Sequence, residues 1–165
     1  DWATQLLKLR NLQSQTGGIT EFIPLPFVSM ESPMYKRGHA RPGPTFREVL
    51  LMHAIARLSL NPLITNIQTS WVKLGQAGAE ACLNAGVNDM GGTLMNESIS
   101  RAAGSIHGQE FTPEKMESFI KNSQRIPRLR DTMYNTIEPK IPNYQPKVDI
   151  SQKLQTLLDS AYPTN

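Results

Sequence analysis

Three stretches of the sequence hold the residues best suited to chemistry. The first is Gly86–Thr93, GVNDMGGT, where Asn88 and Asp89 precede two glycines. A carboxylate and an amide there can hydrogen-bond a polar ligand. Gly91 and Gly92 let the backbone approach it, with amides suited to an anion or a cofactor carboxylate. The second is NIQTSWVKL, Asn66–Leu74. Its period-two alternation puts Asn66, Gln68, Ser70 and Val72 on one face, and a polar face on a covered strand must meet hydrogen-bonding partners. The third is Met30–Pro44, MESPMYKRGHARPGP, where Lys36, Arg37, His39 and Arg41 crowd beside Glu31 and Tyr35. It could hold an anionic group or close as a lid, and long loops inside compact domains are usually functional. Each stretch also has a plain reading: an Asx-Gly turn in which Asp89 caps its own backbone, a water-satisfied strand face, and a solvated basic loop.

Other constellations are missing. No His/Cys/Asp/Glu spacing fits a zinc or iron site, and no P-loop or Ser-His-Asp order occurs. His53 lies in an otherwise apolar run and reads as packed, His107 sits in a loop, and the methionines near the candidate face read as gap-fillers. The single cysteine, Cys82, excludes an internal disulfide framework and a cluster held by cysteines of this chain alone.

The elements that must position these stretches follow from periodicity. Trp2, Leu6, Leu9 and Leu12 mark an opening helix that ends near Gln15 at Gly17-Gly18. Ile19–Val28 reads as a strand ending near Pro24. Thr45-x-x-Glu48 is a capping box that starts a helix with Leu50, Leu51, Ala54, Ile55 and Leu58 on its apolar face, and Asn61-Pro62 ends it. Ile64–Leu74 reads as a strand, Gln76–Ala85 as a helix, Val87–Met90 as a short strand and Leu94–Ala103 as a helix. Thr112-Pro113 starts another helix, with Met116, Phe119 and Ile120 facing inward.

Strands alternating with helices imply an α/β fold of parallel βαβ units, with ligands beyond the carboxyl ends of the strands. Three strands leave two unpaired edges, which suggests half of a barrel or of a doubly wound sheet. The opening helix begins at Asp1 without a preceding Met, so the chain reads as part of something longer. Residues 1–134 are expected to form this partial α/β unit, and 135–165 a Pro-rich linker with a short terminal helix. The chain has 165 residues, is 39% hydrophobic and carries net charge +3. That fits one globular domain without a membrane span or a nucleic-acid-coating surface, and it assigns no compartment.

Four blocks, TGGITEFIPLPFVSMESPMY, RPGPTFREVLLMHAIARL, NIQTSWVKLG and GVNDMGGTLMNESISRAAG, resemble the second radical-SAM half of the deazaflavin-forming FO synthase family, from about Asp1 to Tyr134. The resemblance implies the C-terminal half of a partial (β/α)₆ TIM-type barrel, about strands four to six. It implies a [4Fe-4S] cluster that cleaves S-adenosyl-L-methionine, and transfer of a p-hydroxybenzyl group from tyrosine to 5-amino-6-(D-ribitylamino)uracil. The family's three cluster cysteines are absent, so the remaining part of the barrel and the other radical-SAM half are expected as partners, and the chain alone as inactive. On this resemblance Asp89 and Glu97 are candidate catalytic carboxylates. Gln68, Ser70, Asn88, Gly91 and Gly92 are candidates for the cofactor, and Glu31, Tyr35, Arg37 and His39 for the substrate. Similar blocks occur in radical-SAM enzymes of futalosine-dependent menaquinone synthesis. A phosphate-binding (β/α)₈ isomerase or aldolase using Gly91, Gly92 and the basic loop, and a degenerate half-barrel serving as an interaction module, are the readings from other classes.

Overall fold

Helix α1, Trp2–Thr16, ends where Gly17 adopts φ 62° and returns its N–H to the Gln13 carbonyl. Buried Gln13 then fixes the next segment. Its amide donates to the Ile19 and Leu63 carbonyls at 2.9 and 3.0 Å, and its oxygen accepts from Ile19 N–H at 2.7 Å. The computed structural model describes residues 1–137. The linker and terminal helix expected over 138–165 lie outside the described residues. Among the described residues, no helix is long and apolar enough to cross a membrane.

Two units divide after Gln124. In the first, short extended segments bridge in parallel and in chain order, Phe22 with Ile67 and Gln68 with Asp89. The ladder runs through Phe22 N–H to Asn66 O, Gln68 N–H to Phe22 O and Thr69 N–H to Asp89 O, at 2.9, 3.0 and 3.0 Å. Helix α3, Phe46–Leu60, connects the first segment to the second, and helix α4, Trp71–Asn84, connects the second to the third. The unit is therefore α/β with helices as crossovers. The helices α2, Pro33–Lys36, and α5, Ile99–Ala102, are single turns in loops, and α6, Pro113–Asn122, follows its Thr112 cap.

The core lies on one side of these segments. Leu6, Val49, Ala56, Leu60, Ile64, Ile67, Trp71, Ala79, Cys82, Val87, Met90, Phe111 and Met116 are all buried in it. Each Val, Leu, Ile, Phe or Met side chain among them contributes about 1.5–3 kcal/mol of transfer free energy. Phe111 anchors it with edge-on contacts to Trp71 and Phe119, centroids 5.1 and 5.8 Å apart. Met116 is buried, and Phe119 and Ile120 pack against the core as expected.

Several expected elements differ. The Thr45 capping box is present in both directions, but α3 buries Val49, His53, Ala56 and Leu60 and leaves Leu51, Ile55 and Leu58 exposed. The helix is apolar around most of its girth, so periodicity alone did not select the packed face. The strand expected to Leu74 stops at Ser70, whose carbonyl accepts from Lys73 and Leu74 N–H as α4 begins. Trp71–Leu74 is a single turn, and the regular helix resumes after Gly75, whose φ 67°, ψ −178° breaks it. The His107 ring lies against Gly75, where a Cβ would come within 2.9 Å of Nδ1. The helix expected over Leu94–Ala103 is confined to α5, because Leu94 pairs antiparallel with Phe111 and Glu97 N–H donates to the Gln109 carbonyl.

The second unit begins at Arg125. Its described part is a hairpin of β1, Leu129–Arg130, and β2, Thr136–Ile137, paired antiparallel. Asp131 closes the turn by accepting from Met133 and Asn135 N–H, and the Arg130 guanidinium lies 4.0 Å from the Tyr134 ring centroid. The first three residues of the expected linker, Asn135–Ile137, are thus part of this hairpin.

Candidate functional site

Alternation along the second extended segment sends Ile67 and Thr69, both fully buried, into the core. Gln68 and Ser70 take the opposite face and are half-buried. The parallel bridge places Asp89 beside Gln68. With its nitrogen turned toward the acceptors, the Gln68 amide donates to Asp89 Oδ1 at 3.2 Å and to Glu21 Oε2 at 3.1 Å. One residue from each of three consecutive segments thus forms a polar row.

The Asp89 side is built tightly. Asp89 Oδ1 also accepts from Gly91 N–H at 2.6 Å, so the Asx turn weighed from the sequence is present. Gly91 has φ 72°, and a Cβ there would lie 2.6 Å from the nearer terminal atom of the Gln68 amide. Only glycine lets the amide side chain lie this close to the turn. Gly92 is held from the other side, its carbonyl accepting from Trp71 Nε1 at 3.1 Å.

Two expected site residues have architectural partners. Asn88 Oδ1 accepts from Arg57 Nη2 at 2.6 Å and from Ile67 N–H at 2.9 Å, while Arg57 also donates to the Gly86 and Thr65 carbonyls. Both Glu97 oxygens accept from Ser100 N–H, at 2.9 and 3.1 Å, capping α5. Ser70 precedes α4 and makes no side-chain cap bond.

The basic loop is tied down at its base. Gly43 N–H donates to Ser29 Oγ at 3.4 Å, and Glu31 N–H to the Ala103 carbonyl at 3.2 Å. Ser100 in turn accepts from Lys73 Nζ at 3.3 Å. These contacts join the loop, α5 and the first turn of α4. Glu31 pairs with Lys36, and Arg41 with Glu48 at 3.4 Å, while Glu31, Tyr35, Arg37 and His39 are exposed. The structure gives no contact between these four and the Gln68 row.

His53 is fully buried, with Nδ1 2.8 Å from the Val49 carbonyl and 3.7 Å from Cys82 Sγ. Burial lowers the His53 pKa and raises that of the Cys82 thiol, which suits packing and opposes nucleophilic use. A cavity of about 220 Å³ lies between α1, the Phe22–Pro26 segment and the start of α3, lined by Trp2, Phe22, Pro24, Met52 and His53 among others. It shares no residue with the Gln68 row. Among the described residues, no group of His, Cys, Asp or Glu could hold a metal ion.

Sequence reasoning passed over Glu21. In TEFIP it looks like the solvent side of a strand, and only the parallel register brings it to Gln68. The available signal was its alternation with Phe22, which packs against the core.

Residues 16–142 match the family model described as the CofH/MqnC C-terminal region. The chain is 48% identical over 138 residues to 5-amino-6-(D-ribitylamino)uracil--L-tyrosine 4-hydroxyphenyl transferase of Methanopyrus kandleri, covering 84% of this chain and 37% of that protein. It is 50% identical over 133 residues to FO synthase of Mycobacterium leprae, covering 81% of this chain and 15% of the relative. The Archaeoglobus fulgidus transferase is 48% identical over 133 residues, covering 81% and 38%. The chain thus spans between about one seventh and two fifths of the length of these relatives.

Proposed function

The chain belongs to the CofH/MqnC C-terminal family, and from that membership we propose that it works as part of a radical-SAM transferase of deazaflavin biosynthesis. The reaction is transfer of the p-hydroxybenzyl group of tyrosine to 5-amino-6-(D-ribitylamino)uracil. The names of the M. kandleri and A. fulgidus relatives carry both substrates. The three parallel segments are read as a contiguous piece of a TIM-type barrel, with the Gln68 face turned to its interior. The remaining part of the barrel and the other radical-SAM half are then its partners.

The observation that carries this reading is the polar row Glu21–Gln68–Asp89 on the face opposite the helix-packed core. Parallel segments are normally covered on both faces. A polar second face calls for polar contents, which an enzyme interior supplies.

The residues of this chain do not fit a [4Fe-4S] cluster. Its one cysteine is buried and its thiol is held protonated by burial, whereas such a cluster takes several thiolates. We assign the cluster to the remainder of the enzyme. S-adenosyl-L-methionine supplies the radical there, and residues of this chain bind and orient. Asp89, Gln68, Ser70 and Gly92 form the wall that meets cofactor and acceptor. Glu31, Tyr35, Arg37 and His39 are proposed to hold substrate from the loop. Asn88 and Glu97 are proposed to support the site through Arg57 and α5.

The phosphate-binding isomerase reading loses its main feature. The Gly91 N–H is occupied by Asp89, whose carboxylate repels an anion at that point.

Asp89→Asn in the full-length enzyme tests the proposal. Asn keeps an oxygen for Gly91 N–H while removing the charge. Product formation is expected to fall 10-fold or more, about 1.4 kcal/mol of transition-state stabilisation, with folding nearly unchanged. Full activity would remove Asp89 from the site.

A further inference from the structure

The cavity between α1, the Phe22–Pro26 segment and the start of α3 is separate from the Gln68 row. It has a volume of about 220 Å³, with Trp2, Phe22, Pro24 and Met52 among its walls. An apolar cavity of about 150 Å³ takes benzene, and pockets for drug-sized molecules run to about 300–1,000 Å³. The volume therefore suits one substituted six-membered ring and is too small for S-adenosyl-L-methionine or a ribitylated uracil. Aromatic and thioether walls favour an aromatic ring. The cavity also lies at the carboxyl end of the first parallel segment, the side on which such folds hold ligands.

One buried polar group in its lining is unsatisfied. His53 is fully buried, and its Nε2 makes no hydrogen bond within the described residues. Nδ1 lies 2.8 Å from the Val49 carbonyl, which only accepts, so the proton of the neutral ring sits on Nδ1. Nε2 is then a lone-pair acceptor, which a hydroxyl donor satisfies and a carbonyl or carboxylate does not. At the other end of the lining is Glu48, with Arg41 Nη1 3.4 Å from its Oε1. Glu48 precedes His53 on α3 by five residues, about 7.5 Å of rise. That span suits a tyrosine from its hydroxyl to its amino-acid head, whose ammonium and carboxylate match the exposed Glu48 and Arg41.

We propose that this cavity binds the p-hydroxyphenyl group of tyrosine, with His53 Nε2 accepting from the phenol and the Arg41–Glu48 pair facing the zwitterionic head. This rests on the proposed transferase reading, in which tyrosine is the donor. It names where that substrate sits and which residue selects its hydroxyl.

The full-length enzyme, with methyl-labelled methionine, is titrated with L-tyrosine and with L-phenylalanine, which lacks only the hydroxyl. Calorimetry is expected to show tyrosine binding about 10-fold or more tighter, and both amino acids should shift the Met52 methyl signal. His53→Leu removes the acceptor, so the two should then bind about equally, with the KM for tyrosine raised about 10-fold or more. Met52→Trp fills the cavity and should weaken both amino acids by about 10-fold or more, with the KM for the acceptor within a few-fold. Thermal midpoints check that both variants fold, and the wild-type comparison needs neither. Equal wild-type affinity for tyrosine and phenylalanine would overturn the proposal. Tyrosine binding without a response at Met52, or an unaltered tyrosine KM in folded Met52→Trp, would also overturn it. Absence of transfer by the wild type would instead defeat the transferase reading. Titration with 4-methylphenol and toluene, followed at Met52, would then still decide whether the cavity selects a phenol.

Discussion

Arg57 and Asn88 are joined at 2.6 Å, guanidinium to side-chain carbonyl, and the same carbonyl accepts from Ile67 N–H. Both lone pairs of Asn88 Oδ1 are therefore used in bracing the second and third parallel segments against α3. Asn88→Ala is expected to lower stability by about 1–3 kcal/mol by leaving these donors unpaired. Asn88→Asp, which keeps an acceptor, should stay close to wild type in urea denaturation. Equal stability of the Ala variant would show that the brace contributes nothing.

Glu97 caps α5 through Ser100 N–H. Glu97→Ala should cost about 1 kcal/mol, in line with loss of a cap. In the full-length enzyme, Glu97→Gln should hold kcat within a few-fold. A loss of kcat above 10-fold in a folded Glu97→Gln protein would return Glu97 to the reacting groups.

His53 gives the fold an acid-sensitive point. Burial holds its pKa below the ordinary 6.5, so the folded state resists a proton that the unfolded chain accepts. Above about pH 6.5 both states are neutral and stability is unaffected by this residue. As pH falls below that value, stability should decline until the folded-state pKa is passed. Urea midpoints between pH 7 and pH 5 measure the slope, and His53→Gln should flatten it.

Gly91→Ala places a Cβ at 2.6 Å from the nearer terminal atom of the Gln68 amide, on a backbone of φ 72°. The left-handed backbone alone costs roughly 1–2 kcal/mol for a residue with a side chain. Gln68 must also move, so activity of the full-length enzyme should fall more than stability does. A Gly92→Ala control has open space at its Cβ and should be milder.

Anaerobic treatment of the chain with iron and sulfide should load no stoichiometric cluster, since one buried cysteine replaces the several ligands required. Visible absorbance corresponding to one cluster per chain would contradict the assignment of the cluster to the rest of the enzyme.

What the sequence revealed was decided locally. Gly17 as a helix stop, the Thr45–Glu48 box and the Thr112-Pro113 start are short-range chemistry, and each appears where expected. What stayed hidden depended on partners distant in the chain. His53 is buried while Leu58 is exposed because the packed side of α3 was set by α1 and α4, not by its own hydrophobicity. Trp71 has a strand-like sequence context but turns into α4, where its ring meets Phe111 and its N–H meets Gly92. Leu94 follows the pairing offered by Phe111 instead of its helical pattern. In the site, Asp89 and Gln68 were legible from strand ends and alternation. Glu21 required the register.

The order of the parallel bridges also bears on how the chain finds its structure. Phe22 and Ile67 lie about twice as far apart along the chain as Gln68 and Asp89. Closing the longer loop costs about 0.6 kcal/mol more in chain entropy. The α4 crossover therefore has the kinetic advantage as the first long-range closure, and the Phe22 segment docks onto an edge already formed. Destabilising substitutions buried in α4, such as Ala79→Gly, should slow refolding. Those at Leu6 in α1 should chiefly hasten unfolding.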